Sequence, residues 1–376
     1  MNARAAGWLA FGAVMVSGIG HLALQYAPRP WSAYGHIDIA QLLFATPIFR
    51  THWPYWTFPF EYHPVIGWGS ALASYVAGEL VVLVMLWIAV LALAARAAAL
   101  HLAARVGPRR TIVFWSLAPQ LLLFGGQNFD ALATFTLVFA AGALRADRPI
   151  RAGVSIAIGA ATKLFPLVAV PPYLIALWRA NDRRRALSFT AATLVALALI
   201  DVPAIVAPFS LLSYGVSPYG VATWNVDSIW LPVAMLLDLV TTPARADQVI
   251  SALSIGGLVL SYLVLVIRPA FRRGADPERL VWIAVAALLF WTRLRSTQYA
   301  IWLLPIFVLY VPDPRLLLFM FAGDLVTFLA VFGLRGVTRD VLGPEAVPFY
   351  LAMSGGAVIR QIAVAWLLVR VRVRVR

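Results

Sequence analysis

Residues 34–64 read YGHIDIAQLLFATPIFRTHWPYWTFPFEYHP, a polar and aromatic stretch that carries His36, Asp38, Glu61 and His63. The apolar runs on either side of it, near residues 7–24 and 67–95, are each long enough to cross the roughly 30 Å hydrocarbon layer as a helix. A loop this long between two crossings has an aspartate near its start, on what reads as a short helix lying along the membrane. That arrangement points to a reaction site at the membrane surface.

Composition fixes the class. The 376 residues are 62% hydrophobic and 12% charged, with a mean hydropathy of +0.85; a soluble globule is only about half apolar. The chain is expected to be one all-α polytopic membrane domain over 1–376, because lipid offers a backbone no hydrogen-bond partner outside its own helix. About twelve spans are expected, near 7–24, 67–95, 111–124, 129–144, 152–164, 167–178, 186–206, 249–267, 280–292, 300–311, 316–332 and 347–369. The first run follows a single arginine and reads as a retained span rather than a cleaved leader. With no cysteine, disulfides, thiolate catalysis and cysteine-bound zinc are excluded.

The net charge of +14 belongs to membrane anchoring and not to nucleic acid. With alternating spans and a cytoplasmic N-terminus, 21 of the 30 basic residues fall inside, from Arg4 through the clusters at Arg109, Arg145, Arg183 and Arg272 to the 370–376 tail. The positive-inside rule selects this orientation, with both termini cytoplasmic and the loops near 27–66 and 208–248 outside. The basic tail VRVRVR suits anionic lipid headgroups.

Between Arg110 and Arg145, Arg151 and Arg179, and Arg279 and Arg315 the chain leaves and returns within roughly 28 to 36 residues. Two full crossings of about 20 residues each do not fit. These are expected to be short hairpins whose polar tips stop at membrane depth: Gly125 to Asn128, Thr162 to Pro166, and Arg293 to Gln298. Irregular backbone at depth is tolerated where it lines a wet cavity, so the tips imply a pocket beneath the Asp38 loop.

Transfer of a group from a carrier that already has a good leaving group, such as a phosphate, needs one base and no general acid. Asp38 fits that base, or alternatively caps the helix starting near Ile39. Lys163, the only lysine, with Arg293 and Arg295 can receive the charge developing on a departing phosphate; snorkelling or headgroup anchoring is the plainer reading of each. Gln127 and Asn128 can bind sugar hydroxyls or cap the helix that follows. Glu61 can pair with an arginine or wall the acceptor pocket. His36, Asp38, Glu61 and His63 could hold a divalent metal, but their loop-like spacing and the lack of a second cluster argue for no metal and no cofactor. A lipid or lipid-linked-sugar flippase would share the cationic cavity, yet should show repeated halves; the long first loop has no counterpart in the second half.

In order along the chain, Asp38, WPY at Trp53 to Tyr55, FEYHP at Phe60 to Pro64, GGQNFDAL from Gly125, AGVSIAIGAATKLFPLV from Ala152, WNVDSIW from Trp224 and RLRSTQYAIWLLP from Arg293 resemble the landmarks of glycosyltransferase family 87, in the GT-C superfamily. EYHP stands where that family usually has EYPP or EYPV, and RSTQY replaces a serine-proline or tryptophan-histidine pattern. The resemblance implies an inverting transferase that moves mannose, or another sugar, from a polyprenyl-phosphate carrier to a lipid or glycan acceptor at the outer face. It carries Asp38 over as base, with His36, Glu61, Tyr62, His63, Gln127, Asn128, Lys163, Asn225, Arg293, Arg295 and Gln298 around the substrates.

Overall fold

The computed structural model describes residues 2–35, 52–60, 62–77, 79–213, 225–337 and 344–373. His36, Asp38 and Glu61 lie outside the described residues. Among the described residues the structure is helical, without strands. In chain order the main helices are α1 (Ala3–Gln25), α2 (Pro64–Val76), α3 (Leu80–Val106), α4 (Pro119–Phe124), α5 (Asp130–Arg145), α6 (Pro149–Ala160) and α7 (Val170–Arg179). They continue with α8 (Arg183–Ile205), α9 (Trp230–Leu237), α10 (Pro243–Tyr262), α11 (Pro277–Trp291), α12 (Leu304–Leu309), α13 (Pro314–Val337) and α14 (Val347–Val373).

Six of these, α1, α3, α8, α10 with its extension to Ala270, α13 and α14, are long and apolar enough to cross a membrane. The others are shorter, as the hairpin spacing anticipated: α5, with 16 residues, reaches only about 24 Å. Two expected spans are broken. The run 67–95 is divided between α2 and α3, and the run 111–124 is a π-turn at Ile112–Ser116 followed by α4. Proline explains the second break, since Pro119 has no N–H to continue a ladder and instead starts α4. The outer loop expected near 208–248 contains the eight-residue α9.

Burial sorts the helices into centre and periphery. In α11 every residue from Leu280 to Ala287 is buried, and a helix apolar on all sides belongs inside a bundle. By contrast, α8 exposes Leu187, Leu194, Val195 and Leu199, and α10 exposes Leu253, Ile255, Val259 and Leu260, which suits faces turned to lipid. Small residues set the closest approach between spans, as is common where lipid supplies no hydrophobic drive for helix association. In the α13–α14 crossing, a Cβ on Gly356 would sit 2.3 Å from Thr327 Oγ1 and 2.7 Å from the Gly323 carbonyl oxygen.

One end of the bundle is laced by arginine. Arg105 Nη1 lies 2.6 Å from Glu278 Oε2, an oxygen that Arg145 shares, and Arg185 Nε lies 2.7 Å from Asp147 Oδ1. These contacts fasten α3, α5, α8 and α11 together.

The crossing generates a test. Gly356→Leu should lower stability by about 1–3 kcal/mol, the usual cost of overpacking, whereas Gly355→Ala, where an added Cβ meets nothing within 4 Å, should not. Thermal unfolding of the two detergent-solubilised variants reads the difference; equal melting temperatures would mean that the helices separate without cost.

Candidate active site

The turn after α6 delivers Lys163 to the interior of the bundle, and its partner is a carboxylate. Lys163 Nζ lies 2.9 Å from Asp130 Oδ1, with Asp130 wholly buried as the first residue of α5. A negative charge there faces the positive end of the helix dipole. The same oxygen accepts the Trp302 indole N–H at 2.5 Å. Trp302 is the middle of a three-ring stack, 3.8 Å from Phe165 on one side and 4.3 Å from Tyr299 on the other. The ammonium lies 4.6 Å from the centre of the Tyr299 ring, close enough for a cation–π contact.

Residues 62–65 close over this group. The Val65 N–H donates to the Ala161 carbonyl at 3.0 Å, which ties the start of α2 to the end of α6. Tyr62 meets Phe129 edge to face, and its carbonyl accepts the Tyr55 hydroxyl. His63 is drawn into the same environment. Burial, and then the Lys163 charge, push its pKa from 6.5 down to about 4, and its Nδ1 is buried without a hydrogen-bond partner among the described residues.

All three expected tips therefore contribute to one place: Phe129 and Asp130 just after the first, Lys163 and Phe165 in the second, and Tyr299 and Trp302 just after the third. Gln127 and Asn128 are buried beside it, and Asn128 Oδ1 accepts the Phe129 N–H at 2.6 Å.

The arginines of the third tip are engaged elsewhere. Arg293 Nη1 donates to Ser251 Oγ at 2.7 Å, and its carbonyl accepts the Asn225 N–H at 3.0 Å. Arg295 is buried, donating to Gln361 Oε1 at 2.9 Å and to the Leu289 carbonyl at 3.3 Å. Beside it, Arg360 lies 3.7 Å from Asp324 and donates to the Asp227 carbonyl. Gln298, also buried, accepts the Ser296 hydroxyl at 2.7 Å. The expectation that Lys163, Arg293 and Arg295 share one cavity is thus refined into two groups, linked by the 3-10 segment Thr297–Leu303. Backbone geometry is the reason: Arg293 and Arg295 lie in the irregular bend between α11 and that segment, where near neighbours in sequence diverge in space.

Two members of the lysine group, Asp130 and Trp302, went unnamed as site residues in the sequence reading. Both stand inside quoted motifs, GGQNFDAL and RLRSTQYAIWLLP. A carboxylate in an otherwise apolar run was the available signal.

The same stretch that builds this site matches a family profile. Residues 53–304 align with glycosyltransferase family 87, 252 of the 376 residues. The chain belongs to that family. No curated protein matches it. The family 87 stretch opens at Trp53 and closes just past Trp302, so it contains the Lys163 group complete, whereas Asp38 lies before it and Arg360 after it.

The depressed His63 pKa has a direction in pH. Unfolded, His63 takes up a proton near pH 6.5; folded, it resists until about pH 4. Below 6.5 the unfolded chain binds more protons, so His63 costs stability increasingly as pH falls to 4 and no more below it. His63→Gln should flatten the melting-temperature profile across that window. A variant profile parallel to wild type would mean that His63 is solvated and titrates normally.

Proposed function

We propose that this glycosyltransferase moves a sugar, mannose on this reading, from a polyprenyl-phosphate carrier to a lipid or glycan acceptor at the extracytoplasmic face, with inversion. The observation that supports it best is the convergence of Lys163, Asp130, His63, Tyr62, Tyr299 and Trp302 from four separate chain segments within a family 87 framework. Aromatic faces and paired charges at membrane depth suit a sugar held next to an anionic carrier.

The reaction balances with the groups at hand. The acceptor hydroxyl oxygen attacks the anomeric carbon, its proton passes to the Asp38 carboxylate, and the bond from the anomeric carbon to the carrier oxygen breaks with its electron pair on the phosphate. No general acid is required because phosphate departs as a stable anion. Cations held in a low-dielectric site stabilise that anion more than they could in water. Lys163 serves here with its ammonium fixed by Asp130, whereas Arg293 and Arg295 are engaged by Ser251 and Gln361. The membrane confines the carrier to two dimensions and limits its approach.

Replacing Asp38 by Asn separates its two readings, since an amide still caps a helix but takes no proton. Transfer from a polyprenyl-phosphate sugar to membrane lipid acceptors, assayed with purified protein, should fall at least about a hundredfold. Near-wild-type turnover would remove Asp38 as base. Orientation has its own test: reporters at Met1 and Arg376 should be cytoplasmic and one inserted between Phe49 and Trp53 extracytoplasmic, following the positive-inside distribution. A cytoplasmic Phe49–Trp53 reporter would put the site on the wrong face for this reaction.

A further inference from the structure

At the arginine-laced end, some 15 residues along α5 from Asp130, the ends of four helices enclose a cavity of about 290 Å³. Arg105 from α3, Arg145 from α5, Tyr173 from α7 and Glu278 from α11 line it, and Ala141, Leu144, Ala176 and Leu177 form its apolar wall. The sugar-transfer chemistry uses none of these residues. We propose that this cavity binds the phosphate headgroup of a membrane phospholipid.

The carboxylates here are already committed to the wall. Glu278 Oε2 takes both Arg105 and Arg145, while Asp276, which also borders the cavity, takes the Glu278 N–H at 3.0 Å and the Tyr310 hydroxyl at 3.2 Å. The guanidiniums are not exhausted. Each spends an N–H on Glu278, and their side chains remain 29% and 43% exposed, leaving donors in the planar arrangement that suits phosphate oxygens. The decisive group is Tyr173. It is only 3% exposed, it lines the cavity, and its hydroxyl is buried without a hydrogen-bond partner among the described residues. A buried hydroxyl left unsatisfied costs free energy that a bound acceptor removes.

Together, two guanidinium edges and a phenol donor ask for an anionic oxygen, and the alanine and leucine wall asks for an apolar group joined to it. Both demands meet in a phospholipid. The placement agrees, because a cavity among the ends of membrane helices, ringed by arginines, stands at headgroup level. Lines of lipid chemistry and of sugar transfer are independent here: the inference needs the chain to span a membrane and does not need mannose, Asp38 or a polyprenyl carrier.

Delipidated full-length protein in a phosphate-free detergent provides the test, read as the rise in melting temperature with added ligand, since a ligand that binds only the folded state stabilises in proportion to its occupancy. Dioctanoyl phosphatidylglycerol should raise the melting temperature saturably. Tyr173→Phe removes one hydroxyl that has no protein partner, so the variant should fold as well as wild type yet need about tenfold more lipid for half the rise. Ala176→Phe, which fills the cavity while leaving the Arg105–Glu278–Arg145 contacts alone, should abolish the response. Unchanged lipid response in both variants would overturn the proposal. So would an equal response of wild type to glycerol phosphate, which would make free phosphate rather than lipid the ligand. Sugar transfer is not part of the readout, so this can fail while the transferase reading stands, and the reverse.

Discussion

A helix that stops inside a membrane leaves its last carbonyls without partners, and hydrocarbon supplies none. This fold depends on side chains from the long spans to meet that need. The Leu123 carbonyl, at the end of α4, accepts both the Ser17 hydroxyl at 2.9 Å and a His21 ring nitrogen at 2.8 Å, each from α1. At the end of α11, Gln361 of α14 donates to the Phe290 carbonyl, and Ser254 of α10 donates to the Trp291 carbonyl at 2.7 Å. The short hairpins can therefore end at depth because α1, α10 and α14 reach across to finish them. The tips in turn hold the site.

Charge at depth follows the same logic with larger stakes. An isolated ammonium or carboxylate in this environment would shed its charge before accepting burial. Lys163 and Asp130 avoid that by pairing, and the Trp302 N–H adds a third contact to the shared oxygen. A pair so arranged is close to neutral from a distance but strongly directional nearby. In the proposed transfer, an ammonium that is already positioned would need little reorganisation as phosphate charge develops. Removing Asp130 alone would leave the Lys163 amine buried without its partner, a worse outcome than losing both.

Much of this was legible in the chain. Composition and arginine spacing gave an all-helical membrane protein with short hairpins, and the ordered motifs pointed to family 87, because those signals depend on segment length and local sequence. What could not be read was which polar residues would face one another. Arg293 and Arg295 stand two residues apart, yet one reaches Ser251 on α10 and the other Gln361 on α14. Lys163 drew attention as the lone lysine, but its partner stands 33 residues earlier, behind a helix start that looked ordinary. Pairings of that kind are decided by how hairpins pack, and single-sequence periodicity carries no information about packing between segments.

The two ends of α5 show why the division matters for function. Its first residue, Asp130, fixes Lys163 beside the aromatic stack; its last, Arg145, shares Glu278 with Arg105 at the far end. A 16-residue helix is a rigid rod on this scale, and α6 packs along it closely enough that a Cβ on Gly159 would lie 2.1 Å from Thr136 Oγ1. That contact leaves no room there for either helix to slide past the other. Helix packing of this kind switches between discrete arrangements and does not deform continuously. The Arg105–Glu278–Arg145 contacts clamp α5 to α3 and α11 at one end, as the Asp130–Lys163 pair joins it to the turn after α6 at the other.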